Sequence, residues 1–321
     1  MQPARTYLQI VGGFCILNAL IPICSSYLRA FGFSKEPLYA SIIGNVINFC
    51  LNAFFLFVLH KGVAGVATAT VISRIINLVI VVTLGAVLVK AKQHPERESN
   101  REVMGQIIRI GLPSACETAI YNVSMTLVIR FLNQMDAQGL NVTARSYTMQ
   151  ITNFSYCVGA ALAQANAIMT GWRIGAKEYD ACDRGTRKAA IIGVIVAVIL
   201  ETMFALCSGW IMQLFSKDPQ MVSLVGKLLA IDIVLEMGRV TNLVYGQALK
   251  TSGDAVFPVV MGACFMILCS VGGTYLFGIR LGLLAVGAYI GMAGDECVRA
   301  VGMYLRWKSG KWKEKGLVKS R

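Results

Sequence analysis

The sequence predicts an all-α polytopic membrane protein of about nine transmembrane helices, and three observations carry that prediction. The 321 residues are 56% hydrophobic and 15% charged, with a mean hydropathy of +0.62, whereas soluble domains carry about 25% charged residues. The apolar residues come in long blocks, such as Ile10 to Leu28, Leu38 to Leu59 and Val63 to Val89, and about 20 apolar residues suffice to cross a bilayer core. Most of the Lys and Arg lie between the blocks. A soluble enzyme and a lone membrane anchor are excluded, as is a β-barrel, whose strands alternate polar and apolar residues.

Taken in order, the blocks place helices at roughly 5–29, 38–60, 63–89, 106–133, 140–170, 187–212, 221–249, 255–278 and 282–306. The longest hydrophilic stretch, Lys90 to Arg109, holds Lys92, His94, Pro95, Glu96, Arg97, Glu98, Arg101 and Glu102 and separates three helices from six. Residues 1–90 are therefore expected to form a partial N-lobe, 91–109 a charged cytoplasmic linker, 110–307 a six-helix C-lobe and 308–321 a basic cytoplasmic tail. A second polar loop, Arg173 to Lys188, holds five cations, and the end of the chain from Arg306 holds seven. Trp307 and Trp312 suit a membrane interface.

Orientation follows from charge. With the C-terminus inside, inner segments collect 20 of the 30 Lys and Arg and outer segments 7, while Arg74, Arg239 and Arg299 are embedded. Inner-leaflet loops prefer cations, so the C-terminus is expected in the cytoplasm and the N-terminus outside. The formal net charge of +13 belongs to this pattern. A nucleic-acid surface would instead cluster its cations on a folded polar face. The ten Cys lie almost all in apolar blocks, where small thiols pack. With only His60 and His94 and no Cys/His ligand spacing, no metal site is expected. Nucleotide loops and catalytic-triad spacings are also missing, so neither an enzyme nor a bound cofactor is expected.

An internal repeat organises the chain. Leu28-Arg29-x-x-Gly32 with Pro37 matches Leu249-Lys250-x-x-Gly253 with Pro258, 221 residues later. Val63-Ala64-Gly65-Val66-Ala67 resembles Ala285-Val286-Gly287-Ala288 at a shift of 222. Helices 1–3 thus read as a second copy of helices 7–9. Six helices separate equivalent positions, so the copies run parallel, a design of transporters built from two related halves. Helices 4–9 make one complete half and helices 1–3 the back end of another. Met1-Gln-Pro-Ala-Arg carries no signal peptide, so the chain reads as a twelve-helix transporter lacking its first three helices.

Ionisable side chains at bilayer depth cost about 2.5–3.5 kcal/mol on insertion scales and are functional candidates by default. Glu117, Glu201, Asp232, Glu236, Asp295 and Glu296 qualify. Glu117 follows Pro113 by four residues and has no cation near it in sequence. It reads as a proton or Na⁺ site, or as a neutral acid hydrogen-bonded between helices. Asp232 and Glu236 share one helix face, and carboxyls that close do not readily ionise together. Arg239, three residues after Glu236, offers an intrahelical ion pair as the alternative. Asp295-Glu296-x-x-Arg299 has the spacing of a helix-locking ion pair. Glu201 has no local partner and receives no role. Asn45, Asn48 and Asn52 form a polar stripe that serves either interhelical hydrogen bonding or a cation site. Tyr121, Asn122 and Met125 on helix 4, with Tyr147, Gln150 and Asn153 on helix 5, could line a cavity for flat lipophilic cations through dispersion and cation–π contacts, or simply pack.

Several strings resemble multidrug and toxic compound extrusion (MATE) transporters in family order from helix 4 to helix 12. Tyr7-Leu8-x-Ile10 leads to Leu28-Arg29-Ala30-x-Gly32, and Asn48-x-x-x-Asn52 and Gly65-Val66-Ala67-Thr68-Ala69-Thr70 follow. Ile110-Gly111-Leu112-Pro113, Leu214-Phe215-Ser216-Lys217-Asp218 and Leu249-Lys250-x-x-Gly253-Asp254 complete the series. The resemblance implies a bacterial inner-membrane antiporter that exports organic cations or drugs in exchange for H⁺ or Na⁺, with two six-helix lobes around a central cavity. It implies cation coupling at Asn48, Asn52 and Thr70, where the family often has Asp at the Asn52 position. In helices 4 and 7 the family's acids align about one turn beyond Glu117 and Glu236. A lipid-linked oligosaccharide flippase and a non-transporting fragment are the alternatives.

Overall fold

The computed structural model describes residues 2–90, 100–135 and 139–315. All of the regular structure among them is helical, and it falls into two compact units, Met1–Arg97 and Glu98–Arg321.

In the first unit, α1 (Gln2–Gly13) and α2 (Leu17–Ala30) meet at a 43° bend. The single helix expected over 5–29 is therefore broken, and the break falls just after Gly12-Gly13, where each glycine costs a helix about 1 kcal/mol. Helix α3 (Lys35–Ala53) runs on into wide π-type turns over Phe54–Val58, and α4 (Gly62–Lys90) returns. Leu28, Ala40, Val81 and Val89 form the core of this unit.

The second unit contains α5 (Asn100–Met135), α6 (Leu140–Gly175), α7 (Tyr179–Leu206), a short α8 (Ser208–Met212) and α9 (Pro219–Thr251). Helix α10 (Val256–Phe265) continues through wide turns at Met266–Val271 and Thr274–Arg280 before α11 (Leu284–Lys308) and a final turn at Lys311–Lys315. The charged stretches expected as loops are partly helical, since α5 begins at Asn100 and α7 at Tyr179. Charge does not end a helix, so these helices outrun their apolar windows.

Lys35–Val58, Gly62–Val89, Tyr179–Leu206 and Val256–Arg280 are long and apolar enough to cross a membrane, and the bent α1–α2 pair makes a fifth when its two halves are counted together. The other expected spans are α5, α6, α9 and α11, of 36, 36, 33 and 25 residues. Part of their polarity faces inward: α9 buries Asp232 and Glu236, and α11 buries Asp295, Glu296 and Arg299.

Helix α9 is the spine of this unit and packs on α6, α7 and α11. Asp218 starts it by accepting a hydrogen bond from Gln220 N (3.0 Å), with Pro219 in the first turn, where proline's missing N–H costs nothing. At Gly238 a Cβ would stand 2.8 Å from the α11 backbone at Cys297. The missing side chain lets α9 and α11 approach closely enough for their charged residues to meet.

The end of α11 is also built into the protein. Trp307 and Trp312 are buried and stacked at 4.2 Å and 8°. Trp307 donates to Asp183 (2.8 Å) and Trp312 to the Trp307 carbonyl (3.0 Å). The interface role expected for these tryptophans is therefore corrected: their indole N–H groups find protein partners, so their rings can be buried. Beside them, Arg306 and Lys315 both bond Asp254, each at 2.7 Å. Burial alone would raise the Asp254 carboxyl, but these hydrogen bonds and charges outweigh it and hold the group below the usual carboxylate range.

Candidate functional site

A cavity of about 470 Å³ opens between α5, α6, α9, the α10 region and α11. Four acids line it, Glu117, Asp232, Asp295 and Glu296, together with four bases, Arg145, Arg239, Lys250 and Arg299. Tyr121, Met125, Met149, Tyr156, Met266 and Met292 supply its softer wall.

Most of the charges are paired. Arg239 bonds Glu236 one turn away on α9 and reaches Glu296 of α11 (3.4 Å), which also accepts from Asn242 (3.0 Å). Arg299 holds Asp295 at 2.9 and 3.0 Å and Glu296 at 3.0 Å. Ser270, presented by the wide turn Met266–Val271, donates to Asp295 (2.9 Å). Lys250 donates to Glu117 (2.6 Å). Glu117, which has no cation near it in sequence, thus gains one from a residue 133 positions away.

Some buried polar atoms remain unbonded. Asp232 is 2% exposed, and its Oδ2 has no hydrogen-bond partner. Glu201 of α7 is fully buried beside Ser155, within electrostatic reach of Asp232 and Glu236. Arg145, five residues into α6, is 7% exposed. Its Nε is unbonded, and a terminal nitrogen contacts only the Met125 sulfur at 3.7 Å.

The structure brings Glu117, Asp232, Tyr121, Met125, Asn153, Asp295, Glu296 and Arg299 to one cavity, with Glu236 tied to it through Arg239. Asn122, Tyr147 and Gln150 are not in its wall, which corrects the cavity expected from helices 4 and 5. Asn122 is exposed and bonds back to the Thr118 carbonyl (3.0 Å), Tyr147 packs on Phe215, and Gln150 is exposed. Single-sequence spacing gave α5 and α6 no fixed rotation about their axes, and the packing supplied it. Sequence reasoning missed Arg145, which falls among the outer-segment cations in the charge count. It also missed Lys250 as a cavity group. In the first unit, Asn52 donates to Asn48 (3.0 Å) and Asn48 to Ser73 (3.1 Å), while Thr70 bonds its own helix at Val66 (2.9 Å).

Comparison with known proteins follows the same outline. The MatE family profile matches residues 113–276. The uncharacterized transporter YisQ of Bacillus subtilis (strain 168) is 33% identical over 99% of this chain and 71% of its own length.

The chain belongs to the MatE family.

A probable multidrug resistance protein, NorM of Thermotoga maritima, is 23% identical over 98% of this chain and 68% of its own length. Among solved structures, a MATE protein in the straight conformation superposes with a TM-score of 0.85 at 19% identity, covering 96% of this chain and 70% of that one. An outward-facing multidrug resistance MATE family transporter gives 0.84 at 18% identity, over 97% and 71%. This MatE chain therefore spans about 70% of the length of these relatives.

Proposed function

We propose that this chain carries the cargo cavity and coupling acids of a secondary antiporter that exports small organic cations or drugs in exchange for H⁺ or Na⁺ across a bacterial plasma membrane. The observation that carries the reading is the buried network around Arg239. Glu236 and Glu296 both pair with this guanidinium, and two more buried acids, Asp232 and Glu201, lie within its electrostatic reach. Carboxyls in one low-dielectric site cannot all be charged at once. A proton or Na⁺ taken up by Asp232 or Glu236 competes with Arg239 for the same acid. A cargo cation entering the cavity makes the same demand from the other side, and mutual exclusion of this kind is the basis of antiport. Glu117, held by Lys250, is a second acid that a coupling ion could occupy. The aromatic and methionine wall suits cargo of varied shape. The names of the relatives support the transport reading, and the charge bias supports a cytoplasmic C-terminus. A flippase cavity calls for several free cations, whereas three of the four here, Arg239, Lys250 and Arg299, are engaged by acids.

The test uses the purified chain in lightly buffered detergent with tetraphenylphosphonium as probe. Binding is expected to release protons, or to weaken as Na⁺ is raised, and Glu236→Gln is expected to abolish most of that linkage. Binding indifferent to both ions would remove the coupling assignment.

A further inference from the structure

Once the ion pairs are assigned, the cavity is left with one acid and one base that stand in no salt bridge among the described residues. The acid is Asp232 and the base is Arg145. Both stand within electrostatic reach of Tyr289, a buried phenol in the same wall. Their helices place them at the same end of the lobe. Arg145 is five residues into α6, Tyr289 is five residues into α11, and Asp232 is on α9, which runs parallel to α11 and pairs Arg239 with Glu296.

A guanidinium that is nine-tenths buried with an unbonded Nε is an expensive feature. Removing a charge from water costs several kcal/mol after relaxation, and the 3.7 Å contact to the Met125 sulfur returns little of it. Arginine offers five donors in a fixed planar fork that matches a carboxylate or phosphate in two parallel hydrogen bonds. The nearby acids do not take that role. Asp295 and Glu296 are held by Arg299 and Arg239, and Glu117 by Lys250. The fork is therefore free to take an anionic group from a molecule in the cavity.

We propose that Arg145 is the recognition point for an anionic group on the cargo, with Asp232 receiving its cationic end, so that the cavity takes zwitterions bearing a carboxylate rather than simple cations alone. Tyr121, Met125 and Met292 are left to contact the apolar body between the two charged ends. This inference rests on the cavity being the cargo site and does not depend on which ion is coupled.

The experiment measures equilibrium binding of 4-(aminomethyl)benzoic acid and of its methyl ester to the purified chain in detergent. The two share ring and ammonium and differ only in the carboxylate. The acid is expected to bind about ten- to a hundredfold tighter than the ester, the range of a charge-assisted hydrogen-bonded pair. Arg145→Gln should erase that preference by weakening the acid alone. Arg145→Lys, which keeps the charge and guards against a folding defect, should retain part of it. Asp232→Asn should weaken both compounds. Equal binding of acid and ester to the native chain, binding of neither, or a preference that survives Arg145→Gln would each overturn the proposal. Tighter binding of the ester would do so while leaving the organic-cation reading of the cavity standing. Proton or Na⁺ linkage, tested separately with tetraphenylphosphonium, decides the coupling reading.

Discussion

At the end of α2 the chain turns at Gly32 (φ +89°), with Phe33 N bonded to Leu28 O at 3.0 Å. At the end of α9 it turns at Gly253 (φ +91°), with Asp254 N bonded to Leu249 O at 2.9 Å. Leu28 and Leu249 are both fully buried. The likeness continues at a shift of 222 residues. Leu59 and Lys61 bond the carbonyls of Phe54 and Phe55, and Leu281 and Leu283 bond those of Leu276 and Phe277. The side-chain tie between helices recurs too, as Asn48 to Ser73 at 3.1 Å and as Ser270 to Asp295 at 2.9 Å. What changes is charge. Ser73-Arg74-x-x-Asn77 in the first unit stands where Asp295-Glu296-x-x-Arg299 stands in the second, and Phe33 stands where Asp254 stands. One scaffold thus carries an amide and hydroxyl tie in one copy and an ionic network in the other. Backbone turns and a single polar tie are enough to hold the three-helix arrangement, so the charges in the second copy are surplus to the scaffold and available for ion and cargo chemistry.

The comparison can be broken most decisively by topology. Parallel copies require the segments that follow them to lie on one side of the membrane. Reporter fusions at Arg97 and Lys311 are expected to read cytoplasmic together, and opposite readings would dissolve the repeat. A smaller effect distinguishes the two ties. Asp295→Ala strands the buried Arg299 with Glu296 alone and is expected to cost about 3–5 kcal/mol, whereas Ser73→Ala removes neutral hydrogen bonds worth about 1 kcal/mol. Unfolding in detergent micelles measures both, and equal losses would mean that the two copies are held alike.

The smallest effect concerns the turn where Asp254 replaces Phe33. The folded Asp254 carboxyl lies below the usual carboxylate range, so its ties to Arg306 and Lys315 are complete at neutral pH. On the acid side they fail as pH falls through that lowered value. Lys315 is 41% exposed in its side chain, which keeps the energy of its share small. Trp312 fluorescence is expected to stay constant down to about pH 5 and to change below the ordinary aspartate range near 3.9. Asp254→Asn should give part of that change at neutral pH. A transition near pH 7 would place the controlling group elsewhere.

Much of this was legible in the sequence because it depends on local spacing. Glu236 with Arg239 and Asp295 with Arg299 are three and four residues apart, so any helix brings them together. Gly32 and Gly253 announce turns that need positive φ. Pairs that depend on rotation between helices were not legible. Glu296 meets Arg239 across 57 residues and Glu117 meets Lys250 across 133. Asn122 and Gln150, one residue from the cavity-lining Tyr121 and Met149, point elsewhere because a single step turns a helix by about 100°.

By itself, the sequence determined that this chain is an all-α membrane protein and that the strings from Leu28 to Pro37 recur 221 residues later, from Leu249 to Pro258. Hydropathy blocks and glycine turns are local properties, and they survive any arrangement of neighbours. Only the tertiary structure decided which charges are spent on one another and which are left over. It set Lys250 against Glu117 and buried Trp312. It left Arg145 and Asp232 outside every salt bridge among the described residues, because a charge's partner depends on the helix that packs against it.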